Sequence, residues 1–311
     1  MLWISLLVGI FLAIILSVWV IRIVSAKKQR QARRATGREE DQMEFHTAYN
    51  DGIDRLYHWE PFNEEYLRRL LCARTIYFSD PADFNDPWDC KPWFSTKLLE
   101  DPVERDLHIQ WAVDISRQHN DTMSEEAVSR LEMQLRADPK LLAETVDEIS
   151  LNMADANSGR YRVYCLGPDV GNLLMWSHYA DKHKGICLEF STRDEVMCCP
   201  LRVEYPQEFP VIRVYSNDLE DNLRPFLTKA DVWKYEHEYR LIAQERGVAT
   251  ADETLITDNN LLRLPETALL SVIVGCQGDY GEVERLIAEV APELPVKKAV
   301  RVPNRFELRI E

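Results

Sequence analysis

Positions 2–21 hold no charged residue, and Leu, Ile, Val, Phe and Trp fill nearly all of them. As a helix rising about 1.5 Å per residue, this run covers about 30 Å, the thickness of a bilayer core, and predicts a transmembrane anchor over 1–24. Lys27, Lys28, Arg30, Arg33, Arg34 and Arg38 follow it directly. By the positive-inside rule that flank, and the chain after it, stays in the cytoplasm, so a single-pass protein of the inner (cytoplasmic) membrane is expected. A secretory signal fits less well. No positive residue precedes the apolar run, the run exceeds the usual ~7–15 residues, and Arg22 interrupts it before Val24-Ser25-Ala26.

Residues 25–50 are rich first in Lys, Arg and Gln and then in acids, with no apolar period, and predict a juxtamembrane linker. Folded sequence is expected from Ile53. An Asn63 cap followed by Glu64, Glu65 and the stripe Tyr66, Leu67, Leu70, Leu71 predicts a short helix. Residues 74–79 (RTIYFS) predict a strand, closed by the turn-forming 80–89 (DPADFNDPWD). Three helical stripes follow over 100–157: Val103, Leu107, Trp111, Ile115; Val128, Leu131, Leu135; and Leu142, Val146, Ile149, Met153.

From 160 the pattern turns to strands at 160–166, 185–190 and 201–205, with a helix at 172–180 between the first two. Residues 217–233 read as helix with a break at Pro225, 236–243 and 268–275 as strands, 280–290 as helix, and 296–302 and 305–310 as closing strands. Strands and helices cluster without alternating strictly. The expected class is therefore α+β, a single domain over 51–311 with a mixed or antiparallel sheet core and an all-helical insertion at 100–157.

Charge adds a constraint. The chain carries 37 Lys and Arg against 52 Asp and Glu, net −15, and residues 1–40 hold seven of the bases and only two of the acids. The rest is thus strongly acidic, and nonspecific nucleic-acid binding, which needs basic surface, is disfavoured. Seven scattered cysteines without paired spacing form neither a disulfide framework nor a zinc pattern. GxGxxG, P-loop, GxSxG and HExxH motifs are absent.

The residues able to carry chemistry fall in four places. His58, in the aromatic run Leu56-Tyr57-His58-Trp59, can donate from one ring nitrogen and accept at the other, or serve structurally. The loop Phe84-Asn85-Asp86-Pro87-Trp88-Asp89 offers carboxylates and stacking faces to a ligand, although turn formation alone explains Asn85 and Asp86. His178 lies beside Trp176 on a helix. His183 is five positions away and off its face, so the two make poor metal partners, and no metal is expected. In Trp233-Lys234-Tyr235-Glu236-His237-Glu238-Tyr239-Arg240, strand alternation would put Glu236, Glu238 and Arg240 on one face. Two carboxylates so placed repel unless Arg240 or a ligand compensates, which is how acid/base and cation-stabilising sites are built; an ordinary solvated ion-paired face is the alternative.

Four ordered blocks resemble the bacterial family catalogued as domain of unknown function 2971. They are Leu56-Tyr57-His58; Tyr77-Phe78-Ser79 with Phe84-Asn85-Asp86-Pro87; Met175-Trp176-Ser177-His178-Tyr179 through Cys187-Leu188-Glu189-Phe190; and Trp233 to Arg240. More distantly, the order of His, Tyr/Ser and Glu-x-Glu is similar to ADP-ribosyltransferases. That resemblance implies NAD as substrate, with ribose at His58, nicotinamide at Tyr77 and Ser79, and Glu238 stabilising an oxocarbenium-like state beside Glu236. The Ser-Thr-Ser run of that family is missing and the helical insertion has no counterpart.

A membrane-anchored cytoplasmic protein is therefore expected, with a pocket built from His58, Tyr77, Ser79, Asn85, Asp86, His178, Glu236, Glu238 and Arg240. Either it is an NAD-dependent ADP-ribosyltransferase or NAD glycohydrolase, or it is a non-catalytic module that binds a nucleotide or a protein at the membrane.

Overall fold

A computed structural model describes residues 45–119, 124–216, 219–246 and 255–311. The expected anchor over 1–24 and the linker up to residue 44 lie outside them. Among the described residues no helix is long and apolar enough to cross a membrane.

In chain order the elements begin with β1 (Arg55–Glu60), α1 (Glu64–Ala73) and β2 (Thr75–Tyr77), then the helices α2 (Pro102–His119), α3 (Glu125–Ala137) and α4 (Pro139–Arg160). They continue with β3 (Tyr161–Leu166), α5 (Leu173–Tyr179), β4 (Ile186–Ser191), β5 (Leu201–Arg202), α6 (Leu219–Leu227) and β6 (Tyr239–Glu245). The chain closes with β7 (Ile256–Thr257), β8 (Leu261–Arg263), β9 (Leu269–Val274), α7 (Tyr280–Val290), β10 (Val296–Arg301) and β11 (Leu308–Ile310). The class is mixed α+β.

Two sheets organise the body. The larger runs β1-β4-β9-β10-β11, with β9 and β10 parallel and the other neighbours antiparallel. The smaller runs β3-β6-β5, antiparallel, with β7 added parallel to β6. Leu56, Leu188, Phe190, Val272 and Val274 of the first sheet share one core with Tyr164, Leu166, Leu241 and Ala243 of the second, and Leu67, Leu70, Val283, Leu286 and Ile287 bring α1 and α7 onto it. Period-2 alternation then turns Trp59, Cys187 and Ile273 to the far side of the large sheet, where Met175 and Trp176 of α5 cover them.

The helix starts follow capping chemistry: Asn63, Asn172 and Asp279 each accept a backbone N–H of the following first turn. Helices α2 to α4 form the expected insertion around their own core of Ile109, Val113, Val128, Leu135, Leu142, Val146 and Ile149. One stripe is corrected. In α2 it is Ile109 and Val113 that are buried, whereas Val103 and Leu107 are exposed, because apolar residues ring this helix and spacing alone does not select its inner face.

The start of the fold is also corrected. Thr47 bridges to Leu201, Ala48 is fully buried in the main core, and His46 Nδ1 lies 3.0 Å from Asp51 Oδ1, so 45–50 belong to the body and not to the linker. This segment docks through its backbone and the side chains of Phe45, Thr47 and Ala48, a mixed set too short to show an apolar period. The expected strand at 201–205 is shorter: after Arg202 the chain turns to pair Glu204 with Thr228.

Candidate functional site

The Glu-x-Glu segment is not one strand. A 3-10 turn spans Asp231–Glu236, held by Trp233 N–H to Ala230 O and His237 N–H to Lys234 O, and His237 takes the left-handed conformation (φ 47°, ψ 44°) before β6 begins. Asn172, the cap of α5, donates through Nδ2 to Tyr235 O at 2.7 Å and ties this turn to the helix. The expectation that pleat alternation aligns Glu236 with Glu238 is therefore corrected. The turn and the left-handed residue bring the two carboxylates to one cation instead.

That cation is Lys229, from the segment after α6. Its Nζ lies 2.6 Å from Glu236 Oε2, 3.4 Å from Glu238 Oε2 and 3.5 Å from Asp89 Oδ2. Arg240 completes the cluster. Its Nε and Nη2 donate to the Glu238 carboxylate at 2.8 and 2.9 Å, Nη1 and Nη2 donate to Asp89 at 2.7 Å each, and Nη1 also reaches Phe226 O at 2.8 Å. Two bidentate carboxylate pairs on one guanidinium match its fork geometry. All five side chains are buried.

Three carboxylates thus meet two cations, and the surplus negative charge settles on one residue. Burial pushes Glu238 up, but Arg240 and then Lys229 outweigh it and hold its pKa at about 2. Glu236 lacks the guanidinium. Burial and the Glu238 charge raise its pKa against the opposing pull of Lys229 and of Tyr179, whose hydroxyl donates to Glu236 Oε1 at 2.6 Å. A proton on Glu236 makes the cluster neutral. Burial works against the Lys229 charge, yet Glu238, Asp89 and Glu236 keep its pKa raised.

Chemically, Glu238 is a fixed anion that positions its neighbours, and Glu236 is the carboxylate able to take or give a proton. Lys229 occupies the point where a metal ion would need to sit, and among the described residues no His, Cys, Asp and Glu side chains are grouped to hold one.

The other expected site residues are distributed as follows. His58 donates through Nδ1–H to Cys165 O (2.7 Å) and stacks on Tyr164 with 4.2 Å between ring centroids, and burial drives its pKa down to about 4. Tyr164 belongs to the main core, whereas the side chain of Cys165 turns to the opposite face of β3, where Glu238 engages the thiol. His58 and Glu238 thus approach one residue from opposite faces and do not share a pocket.

Tyr77 is exposed on β2 and accepts from Asn260 Nδ2 at 2.8 Å, and Ser79 pairs through its backbone with Val163. Asn85 is exposed, and Asp86 caps its own turn by accepting Trp88 N–H at 3.0 Å. His178 is exposed, with its ring 6.2 Å from Tyr179 and 6.3 Å from Tyr235. It therefore joins Tyr179, Tyr235 and Trp233 in an aromatic rim beside Glu236, with Lys229 Nζ 4.9 Å from the Trp233 ring centroid.

Sequence reasoning missed Lys229, Asp89, Tyr179 and Tyr205 as members. Asp89 was visible as the last acid of the turn-rich run. Tyr205 accepts the Glu238 N–H at 2.8 Å and lines, with Ile53, Pro168, Arg202, Glu204, Lys234 and His237 among others, a pocket of about 460 Å³ next to the cluster. Nothing in the spacing of Lys229 announces it, since its role depends on the path of the chain after α6.

No curated protein and no solved structure matches the chain. Of the four blocks that resemble the family, the helix block from Met175 and the Trp233–Arg240 block supply the rim, Glu236, Glu238 and Arg240. Residues 175–241, which contain both, match the family described as Protein of unknown function (DUF2971), and the chain carries that family's segment from the Trp176 helix to the start of the Arg240 strand.

Proposed function

We propose that the domain is a binding module for a nucleotide-type anion, seated in the pocket of about 460 Å³ beside the ion cluster. One observation carries this reading. The side chains of Lys234 and His237 line that pocket and make no hydrogen bond or ion pair among the described residues, and Tyr205 stands in the same wall. Small-molecule sites of ~300–1,000 Å³ join apolar or aromatic walls to a few placed polar groups. Here an ammonium and an imidazole suit a phosphate, and the tyrosine ring suits a base. Titration calorimetry of the full chain with NAD, ADP-ribose, ATP and AMP tests it. Saturable binding that weakens at least about tenfold in Lys234→Ala, with an unchanged Tm, is expected. Absence of binding by all four, or equal binding by the variant, removes the reading.

The aromatic rim favours a second reading, NAD cleavage or ADP-ribosyl transfer at the membrane. The nicotinamide C–N bond breaks with its electron pair leaving on nicotinamide, and a hydroxyl or water attacks the ribosyl cation and gives its proton to Glu236. In this version Glu236, and not Glu238, is the reacting carboxylate, because Glu238 is fully engaged by Arg240. Nicotinamide release from NAD that stops in Glu236→Gln supports it, and intact NAD with the wild-type chain and cell extract removes it.

A further inference from the structure

We infer that a second cavity, of about 600 Å³, between the β10–β11 hairpin and the α5–β4 turn binds a small organic anion that carries an apolar body. The cavity is remote in the sequence from the ion cluster and uses none of its residues. Its lining is of two kinds. Leu173, Val302, Phe306 and Leu308 supply apolar surface, and Arg301, Gln277, His183 and the ion pair of Arg305 with Glu307 supply polar groups.

Three observations point to a ligand. First, the Arg301 guanidinium makes no hydrogen bond or ion pair among the described residues, whereas its neighbour Arg305 is paired with Glu307 at 3.3 Å. Guanidinium matches carboxylate and phosphate oxygens with two parallel donors, so an unengaged one in a cavity is a ready anion receptor.

Second, the cavity wall at His183 is preformed. Its N–H donates to Trp176 O and its carbonyl accepts from Gln277 N–H, both at 3.0 Å, and a Cβ on Gly275 would sit 2.2 Å from that carbonyl. A wall already held in place has little ordering left to lose when a ligand binds.

Third, Phe306 at the turn between β10 and β11 is completely exposed. A phenyl ring at the mouth of a cavity with two arginines favours a ligand whose body is apolar and whose head is charged. Between residues 296 and 311 five Lys and Arg face two Glu, in a chain whose net charge is −15. Inorganic ions satisfy only the arginine half of the site, and neutral apolar compounds only the other half.

The test is calorimetric titration of the full chain with octanoate, phenyl phosphate, octanol and inorganic phosphate, wild type beside Arg301→Gln. Expected is saturation by octanoate or phenyl phosphate, with octanol and inorganic phosphate at least about tenfold weaker, and at least about tenfold loss in Arg301→Gln at unchanged Tm. Lys234→Ala should leave these affinities alone, which separates this site from the nucleotide pocket. Failure of both amphipathic anions to bind overturns the inference. So does equal binding by octanol or inorganic phosphate, or an Arg301→Gln variant as tight as wild type.

Discussion

Glu236 and Glu238 share the ammonium group of Lys229 yet hold their protons oppositely, Glu238 at a pKa of about 2 and Glu236 raised from the ordinary carboxylate value by burial and the Glu238 charge. The difference is Arg240, which grips Glu238 through two nitrogens and does not touch Glu236. A pair split in this way keeps one carboxylate as a fixed charge and leaves the other reactive.

Glu238 contributes stability in its charged form. Its folded pKa lies below the unfolded value near ~4.3, so the contribution is complete above that pH and is lost as pH falls through about 2. Glu238→Gln should therefore lower the neutral-pH stability by on the order of 2 kcal/mol and flatten the acid limb of the wild-type curve between about pH 4 and 2. Urea midpoints taken at pH steps compare the two proteins; parallel curves would show that Glu238 does not titrate as described.

Arg240 is expected to be the most sensitive position of the cluster. Arg240→Met removes the guanidinium from between Asp89 and Glu238 and leaves both anions buried, which typically costs about 3–5 kcal/mol. Arg240→Lys keeps the charge but not the two forks and should fall between Met and wild type. Equilibrium denaturation ranks the three.

Glu60 works in the other direction. Burial lifts its pKa to about 7, with Arg69 pulling the other way, so the folded state binds a proton that the unfolded state has released. Stability should then decline as pH rises from about 4.5 to 7, and Glu60→Gln should remove the decline. At pH 8 the variant is expected to melt about 2–4 °C above wild type, for roughly 1 kcal/mol gained. Scanning calorimetry at pH 5 and 8 measures it, and a wild type whose Tm rises over that interval contradicts the burial argument.

Glycines give a paired control on packing. A Cβ at Gly185 would lie 2.2 Å from Glu60 O and one at Gly275 2.2 Å from His183 O, so each Gly→Ala change must push backbone apart and should cost about 1–3 kcal/mol. A Cβ at Gly159, inside α4, would meet no atom within 4 Å, and Gly159→Ala should be neutral or stabilising by up to ~1 kcal/mol. Thermal melts of the three variants settle the contrast.

Much of the framework was legible in the sequence because it rests on local rules. Asn63 announces a helix start, and runs such as RYRVYCL and LLSVIV announce buried strands. Glu236, Glu238 and Arg240 were found as a group for the right chemical reason and through the wrong geometry, since a left-handed His237 cannot be read from alternation. The membership of Asp89 stayed hidden because it meets Arg240 across 151 positions of chain, where no spacing rule reports a contact, and Lys229, only seven positions before Glu236, stayed hidden because their approach depends on the turn between them and on no helix or strand period. The short strands β7 and β8 were missed for want of length: two and three residues carry no period.

Ser79 and Val163 exchange both backbone hydrogen bonds, each at 2.9 Å, on either side of the helical insertion. The chain thus departs from the small sheet and returns to it through adjoining residues. In polymer terms the insertion is a closed loop pinned at its neck, and the entropy of closing such a loop grows only with the logarithm of its length, about 0.6 kcal/mol per doubling. The three helices can accordingly be lengthened, shortened or exchanged at little cost to the sheet, provided the neck, the Asp89 turn just inside it and the surface that receives Ile212 and Val214 are kept. The body of the domain is a socket whose attached module is free to diverge while the buried charges beneath it stay fixed.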